Sequence, residues 1–221
     1  GIAVISAAGA DLNITIGGAT AADGNIIDGV VGDGILIFNS NNDGTQVTIR
    51  NNVIGGTTSV FGDGILLWNV DAGTFTVAAN TIAGNGTTAA SNTNNGIRVL
   101  QSGAGNLTLT IGGATAADGN IVDGVQLSGI SLANGDAAGP ATTQIYEIRN
   151  NLLGGTTAVI GSGIQVNSIV AGTITIAANT ITGDGTTDAS NTDFGILVSA
   201  LGGPTLAVTI GGPTAADGNI I

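Results

Sequence analysis

The chain has 221 residues, 39 of them glycine, with 43% apolar residues, only 3% aromatic residues and a formal charge of −12. Its three basic residues cannot form the Lys/Arg cluster that nucleic acid requires, and its acidity opposes an anionic membrane surface. No apolar run approaches the roughly 18 residues of a spanning helix, and glycine shows no period of three, which excludes collagen.

In chain order, Gly-Ile pairs start at Gly1, Gly34, Gly64, Gly96, Gly129, Gly163 and Gly195, spaced 33, 30, 32, 33, 34 and 32 residues apart. Each copy also carries one asparagine before a short apolar pair: Asn25, Asn52, Asn80, Asn120, Asn151, Asn179 and Asn219. A period of this length over the whole chain predicts a solenoid, in which stacked neighbours build one continuous core. Residues 1–221 then form one domain.

Three strand-like pieces recur in every copy. The first follows Gly-Ile, as in Ile35-Leu36-Ile37 and Ile65-Leu66-Leu67. The second alternates, as in Val47-Thr48-Ile49 and Phe75-Thr76-Val77. The third follows the asparagine, as in Val53-Ile54 and Thr81-Ile82. Alternation with period two places Ile35, Ile37, Val47, Ile49 and Ile54 inside. Seven turns at roughly 4.8 Å each predict a rod about 34 Å long, with almost no α-helix.

Loop lengths define a larger, three-turn unit. Nine residues separate Ile16 from Asn25, Ile111 from Asn120 and Ile210 from Asn219, against three in the other copies. The gap from the third strand to the next Gly-Ile cycles through 7, 10 and 14. The superrepeats are 1–95, 96–194 and a partial 195–221, with four extra residues around Asn134 to Pro140. Neither end reads as a cap, so both are expected to abut further turns.

Three strands per turn, with an asparagine before the third, resemble the right-handed parallel β-helix of the pectate-lyase-like superfamily. The stretch Ile16-Gly17-Gly18-Ala19-Thr20-Ala21-Ala22-Asp23-Gly24-Asn25-Ile26-Ile27 also resembles repeat regions of large secreted bacterial surface proteins. The resemblance implies an all-β solenoid with three parallel sheets, and a place outside the cell or on its surface. The fold hosts enzymes, adhesins and inert stalks, so it does not by itself choose among them.

The asparagines are expected to take the left-handed turn at the corner and to stack their amides from turn to turn. A catalytic centre is not expected. There is no Lys, His or Cys, and the one glutamate, Glu147, has no carboxylate partner in sight. Glu147 and Arg149 lie two apart and read as a surface ion pair.

Calcium is the one candidate cofactor. Asp28, Asp33, Asp118, Asp123, Asp184, Asp188 and Asp193 lie in glycine-rich loops, though Asp-Gly is also a turn signal. Thr15, Thr48, Thr76, Thr110, Thr175 and Thr209 form an outward column interrupted by Glu147, of a kind an ice-binding solenoid could use. By strand parity Leu36, Phe38, Leu66, Trp68 and Leu100 also point outward, a candidate contact face for a neighbouring rod or a sugar ring.

The function expected is therefore a non-enzymatic extracellular segment of a fibre, stalk or adhesin, stacked head to tail. Its partners would be copies of itself or further turns, and cell-surface or matrix glycans. Nucleic acid and membrane insertion are not expected. The alternatives are a carbohydrate-active β-helix enzyme or glycan-binding module, and then an ice-binding solenoid.

Overall fold

A computed structural model describes residues 1–6, 11–39, 44–85, 93–101, 105–134, 144–169, 171–183, 192–199 and 205–221. The three pieces of each copy become three parallel sheets, two of seven strands and one of six. The first sheet holds the Gly-Ile strands, from Ile2–Ser6 and Ile35–Asn39 through to Phe194–Ser199. The second runs from Asn13–Gly17 to Thr205–Ile210. The third is narrow, with strands such as Val53–Ile54 and Thr180–Ile181.

Each strand pairs with its equivalent one circuit further on. Ile2 lies beside Ile35, Ile35 beside Ile65, and Ile65 beside Ile97. The coil is thus an all-β parallel solenoid, and the step is visible in Leu12 N–H donating to Thr45 Oγ1, 33 residues on. Among the described residues the only helical segments are three short 3-10 turns, Ala21–Asp23, Ala116–Asp118 and Ala215–Asp217. The segment 135–143, which carries most of the inserted residues, lies outside the described residues.

The core is a set of columns running along the axis. Ile35, Ile65, Ile97, Ile130 and Ile164 stack in one column and are fully buried. Val47, Phe75, Leu109, Tyr146 and Ile174 form another from the second sheet. Each such side chain contributes about 1.5–3 kcal/mol by leaving water, so the columns hold the turns together.

The glycine of Gly-Ile has a packing reason. A Cβ on Gly34 would lie 2.5 Å from Ile54 Cγ2 and 2.6 Å from the Gly64 carbonyl oxygen. Gly64 meets Ile82 and Gly96 in the same way, and Gly163 meets Ile181 and Gly195. The first sheet therefore crosses the third at a distance only glycine allows.

The left-handed residue at the opposite corner is not the ladder asparagine, contrary to the expectation from sequence. Asn51, Ala79, Asn150 and Ala178, each one position earlier, have φ of 59°, 54°, 59° and 55°. The bend must come first, so that the following amide can face along the axis. Asn51 and Asn150 use the position further, donating Nδ2 to the carbonyls of Gly18 at 2.5 Å and Gly113 at 2.6 Å.

Ala79 and Ala178 make the same bend without that bond. A left-handed conformation costs an L-residue roughly 1–2 kcal/mol. Ala79→Gly is therefore expected to stabilise the rod by about 0.5–1 kcal/mol, after the greater chain entropy glycine loses. Urea unfolding midpoints measure it. A lower midpoint would show that the turn holds alanine without strain.

Candidate functional site

The asparagines form one hydrogen-bonded column. Asn25 Nδ2 donates to Asn52 Oδ1 at 2.8 Å, Asn52 to Asn80 at 2.9 Å, and Asn80 to Asn120 at 3.0 Å. The column continues through Asn151 and Asn179 to Asn219 at 2.9, 3.0 and 3.0 Å. Each Oδ1 also accepts the backbone N–H of the asparagine below, as Asn151 Oδ1 does from Asn120 at 3.1 Å. Asn52, Asn80, Asn120, Asn151 and Asn179 are at most 1% exposed. Their Nδ2 groups also donate to carbonyls of the second sheet, such as Ile49 and Ile111. These amides are saturated and buried, so they bind neighbouring turns rather than a ligand.

A second polar column stands at the start of the first sheet, and the sequence reading missed it. Asp63 N–H donates to Asp33 Oδ1 at 2.8 Å. Asn95 donates to Asp63 Oδ1 from Nδ2 at 2.7 Å and from its backbone at 3.1 Å. Ser128 N–H donates to Asn95 Oδ1 at 3.2 Å. The available signal was the residue before each Gly-Ile, which is Asp33, Asp63, Asn95, Ser128 and Ser162 in five successive copies. Burial pushes the Asp63 carboxyl above its usual range, against the Asn95 bonds and the Arg98 charge that pull it down.

Several of the loop carboxylates are engaged within the fold. Asp28 Oδ1 accepts from the backbone of Gly56 at 3.3 Å and Thr58 at 2.7 Å, while Oδ2 takes Thr57 N–H at 3.3 Å and its hydroxyl. Asp123 repeats this on Gly155, Thr156 and Thr157. The Thr57 hydroxyl and these N–H groups hold Asp28 below the usual carboxylate range. Asp23, Asp118 and Asp217 each cap a 3-10 turn, accepting from the hydroxyl of Thr20, Thr115 or Thr214 at 2.8, 2.7 and 2.7 Å. Those hydroxyls hold the three carboxyls low as well. Asp184 and Asp188 lie outside the described residues. Among the described residues no three acidic side chains gather as metal ligands would.

The arginines are committed too. Arg149 Nη2 lies 2.7 Å from Asp217 Oδ1, 68 residues on. Arg50 reaches Asp118 at 3.6 Å in the same manner. Each skips a turn to grip the 3-10 loop above it. The Glu147–Arg149 pair expected from sequence is replaced by this clasp, because the loop brings Asp217 onto the Arg149 guanidinium. Glu147 stands exposed between Thr110 and Thr175 on the second sheet. Tyr146 faces inward at 1% exposure, with its hydroxyl against Gln101 and 3.0 Å from Gln144 Oε1, and burial pushes its pKa up. It is not an accessible base.

Three outer faces remain. The threonine column of the second sheet is in register, with Thr15 beside Thr48 and Thr48 beside Thr76. The third sheet turns Ile26, Val53 and Ile121 outward, and an open groove of about 560 Å³ beside it is lined in part by Ala116 and Ala117.

On the first sheet, Ile5, Phe38, Trp68 and Leu100 stand in one outward column. Phe38 and Trp68 pack edge to face, with centroids 5.5 Å apart at 89°. Leu66 shares the neighbouring column with Leu36 and Arg98, but it is buried at 8% exposure rather than open as expected. Arg98, its register partner on the next strand, reaches back to within 3.6 Å of Asp63. No family model matches the chain, and no curated protein or solved structure matches it either.

Proposed function

We propose that this chain is a structural segment of an extracellular rod: a right-handed parallel β-helix of seven turns, organised in three-turn units, that serves as part of a fibre, stalk or adhesin. The asparagine column carries the reading. Every interior amide accepts from the turn below and donates to the turn above, so each added turn repeats the bonds of the last. Such a unit suits indefinite repetition along one axis. The Arg50–Asp118 and Arg149–Asp217 clasps recur at one separation, which supports the three-turn unit.

The contact between rods, or between one rod and further turns, is head to tail. It need not close, and it grows filaments rather than rings. No turnover is part of the proposed function, and cleavage of a glycan that Glu147→Gln abolishes would overturn this. Electron microscopy and light scattering over a concentration series test it. Rods that lengthen with concentration are expected. A protein that stays dispersed as single short rods at the highest concentration would overturn the head-to-tail assembly.

A further inference from the structure

The outward column of the first sheet changes character along the rod. Its first four positions are Ile5, Phe38, Trp68 and Leu100, and the next three are Ala133, Asn167 and Ser199. The inward positions show no such change, since Ile35, Ile65, Ile130 and Ile164 are all isoleucine. The scaffold therefore does not require the apolar stretch: the same sheet folds with Ala133 and Asn167 in those places. Trp68 is nevertheless 49% exposed and Ile5 70% exposed. The edge-to-face contact with Phe38 holds the indole in place, rather than leaving it to swing.

Size and charge decide what this stretch receives. Four strands at 4.7–4.9 Å spacing give a strip about 15 Å long and about 7 Å wide. That is of the order of 100 Å², whereas a stable protein interface needs about 800 Å² on each partner. A second copy laid side by side would also set its charge of −12 along this one, unlike a head-to-tail contact that joins only the ends. All three arginines are paired with aspartates, which leaves no free cation to receive an acidic ligand. Arg98, two residues before Leu100 on the same strand and with its side chain 41% exposed, can still donate to hydroxyls.

We infer that Phe38, Trp68 and Leu100 form a stacking site for a short uncharged oligosaccharide, with the C–H face of a sugar ring on the exposed indole and its hydroxyls toward Arg98. Like the aromatic platforms that hold other flat ligands, the strip offers apolar area at low entropic cost. The site goes beyond the scaffold role, because it would exist on a single rod whether or not rods stack.

Trp68 is the only tryptophan in the chain, so its fluorescence reports on the site directly. The full chain is titrated with neutral hexaoses of β1,4-glucose, β1,4-mannose and α1,4-glucose, and with a hexamer of galacturonic acid. A saturable blue shift with at least one neutral hexaose is expected, and a weaker one or none with the acidic hexamer. By saturation-transfer NMR, Trp68→Ala should weaken that binding at least about tenfold. Asn167→Ser, on the polar part of the same column, should leave it unchanged. If Trp68→Ala fails to give the native strand spectrum by circular dichroism, Leu100→Gln is read in its place and should also weaken binding.

Silence with all three neutral hexaoses overturns the site. So does equal binding of the galacturonate hexamer, or retained binding in a folded Trp68→Ala protein. A shift of Trp68 emission with protein concentration alone, without sugar, would assign the strip to a second copy instead. The microscopy of rod growth is read separately, so failure of one proposal leaves the other standing.

Discussion

Gly64→Ala is expected to cost about 3 kcal/mol, the upper end for overpacking a filled interior. The new Cβ would sit 2.5 Å from Ile82 Cγ2 and 2.6 Å from the carbonyl oxygen of Gly96. Neither neighbour can give way cheaply. The Gly96 carbonyl accepts Ile65 N–H at 2.9 Å, so pushing it aside breaks a bond between turns. Ile82 is fully buried in the core and is packed on its other sides. Gly56→Ala is the control, because nothing lies within 4 Å of its Cβ position; it should change stability by less than about 0.5 kcal/mol. Denaturant midpoints compare the two. Equal effects would mean that the close crossing of the first and third sheets is not a constraint.

Asn151→Ala is expected to destabilise the rod by about 3 kcal/mol, at the upper end for a buried polar truncation. The substitution removes the acceptor of two donors on Asn120, the backbone N–H at 3.1 Å and Nδ2 at 2.9 Å. It also removes the amide that donates to Asn179 Oδ1 and to the carbonyls of Ile111 and Arg149. Asn120 is fully buried, so water does not replace the lost partner. Asn25→Ala tests the cause. Asn25 is exposed, and its side chain serves as a donor to Asn52. Its truncation should cost under about 1 kcal/mol, since a solvated donor is easily satisfied. Similar losses at Asn25 and Asn151 would show that the column acts through local turn preference rather than through buried amide bonds.

The strands and their inward faces were legible in the sequence because they repeat at short range. Alternation along Val47-Thr48-Ile49 needs only neighbouring residues to state which side is dry. The Gly-Ile pairs and the asparagines were legible because their recurrence survives every change in loop length. The parallel pairing then follows, since stacking equivalent pieces is the arrangement that buries every copy.

The residue that takes the corner bend was not legible. Asn51 and Asn52 are chemically identical, and only the structure assigns one to the left-handed turn and the other to the buried column. The second column of Asp33, Asp63 and Asn95 was hidden for another reason. Its residue types vary, so no repeated letter marks it.

By itself the sequence determined a solenoid of parallel strands, its core columns and the asparagine that marks each turn. The tertiary structure alone decided that Arg149 grips Asp217 rather than Glu147, that Arg98 reaches back to Asp63, and that Asp28 is held by the Thr57–Thr58 loop. Those contacts join side chains on different turns. Their reach depends on where each loop sets down its end, and that position is fixed only when neighbouring turns are packed together.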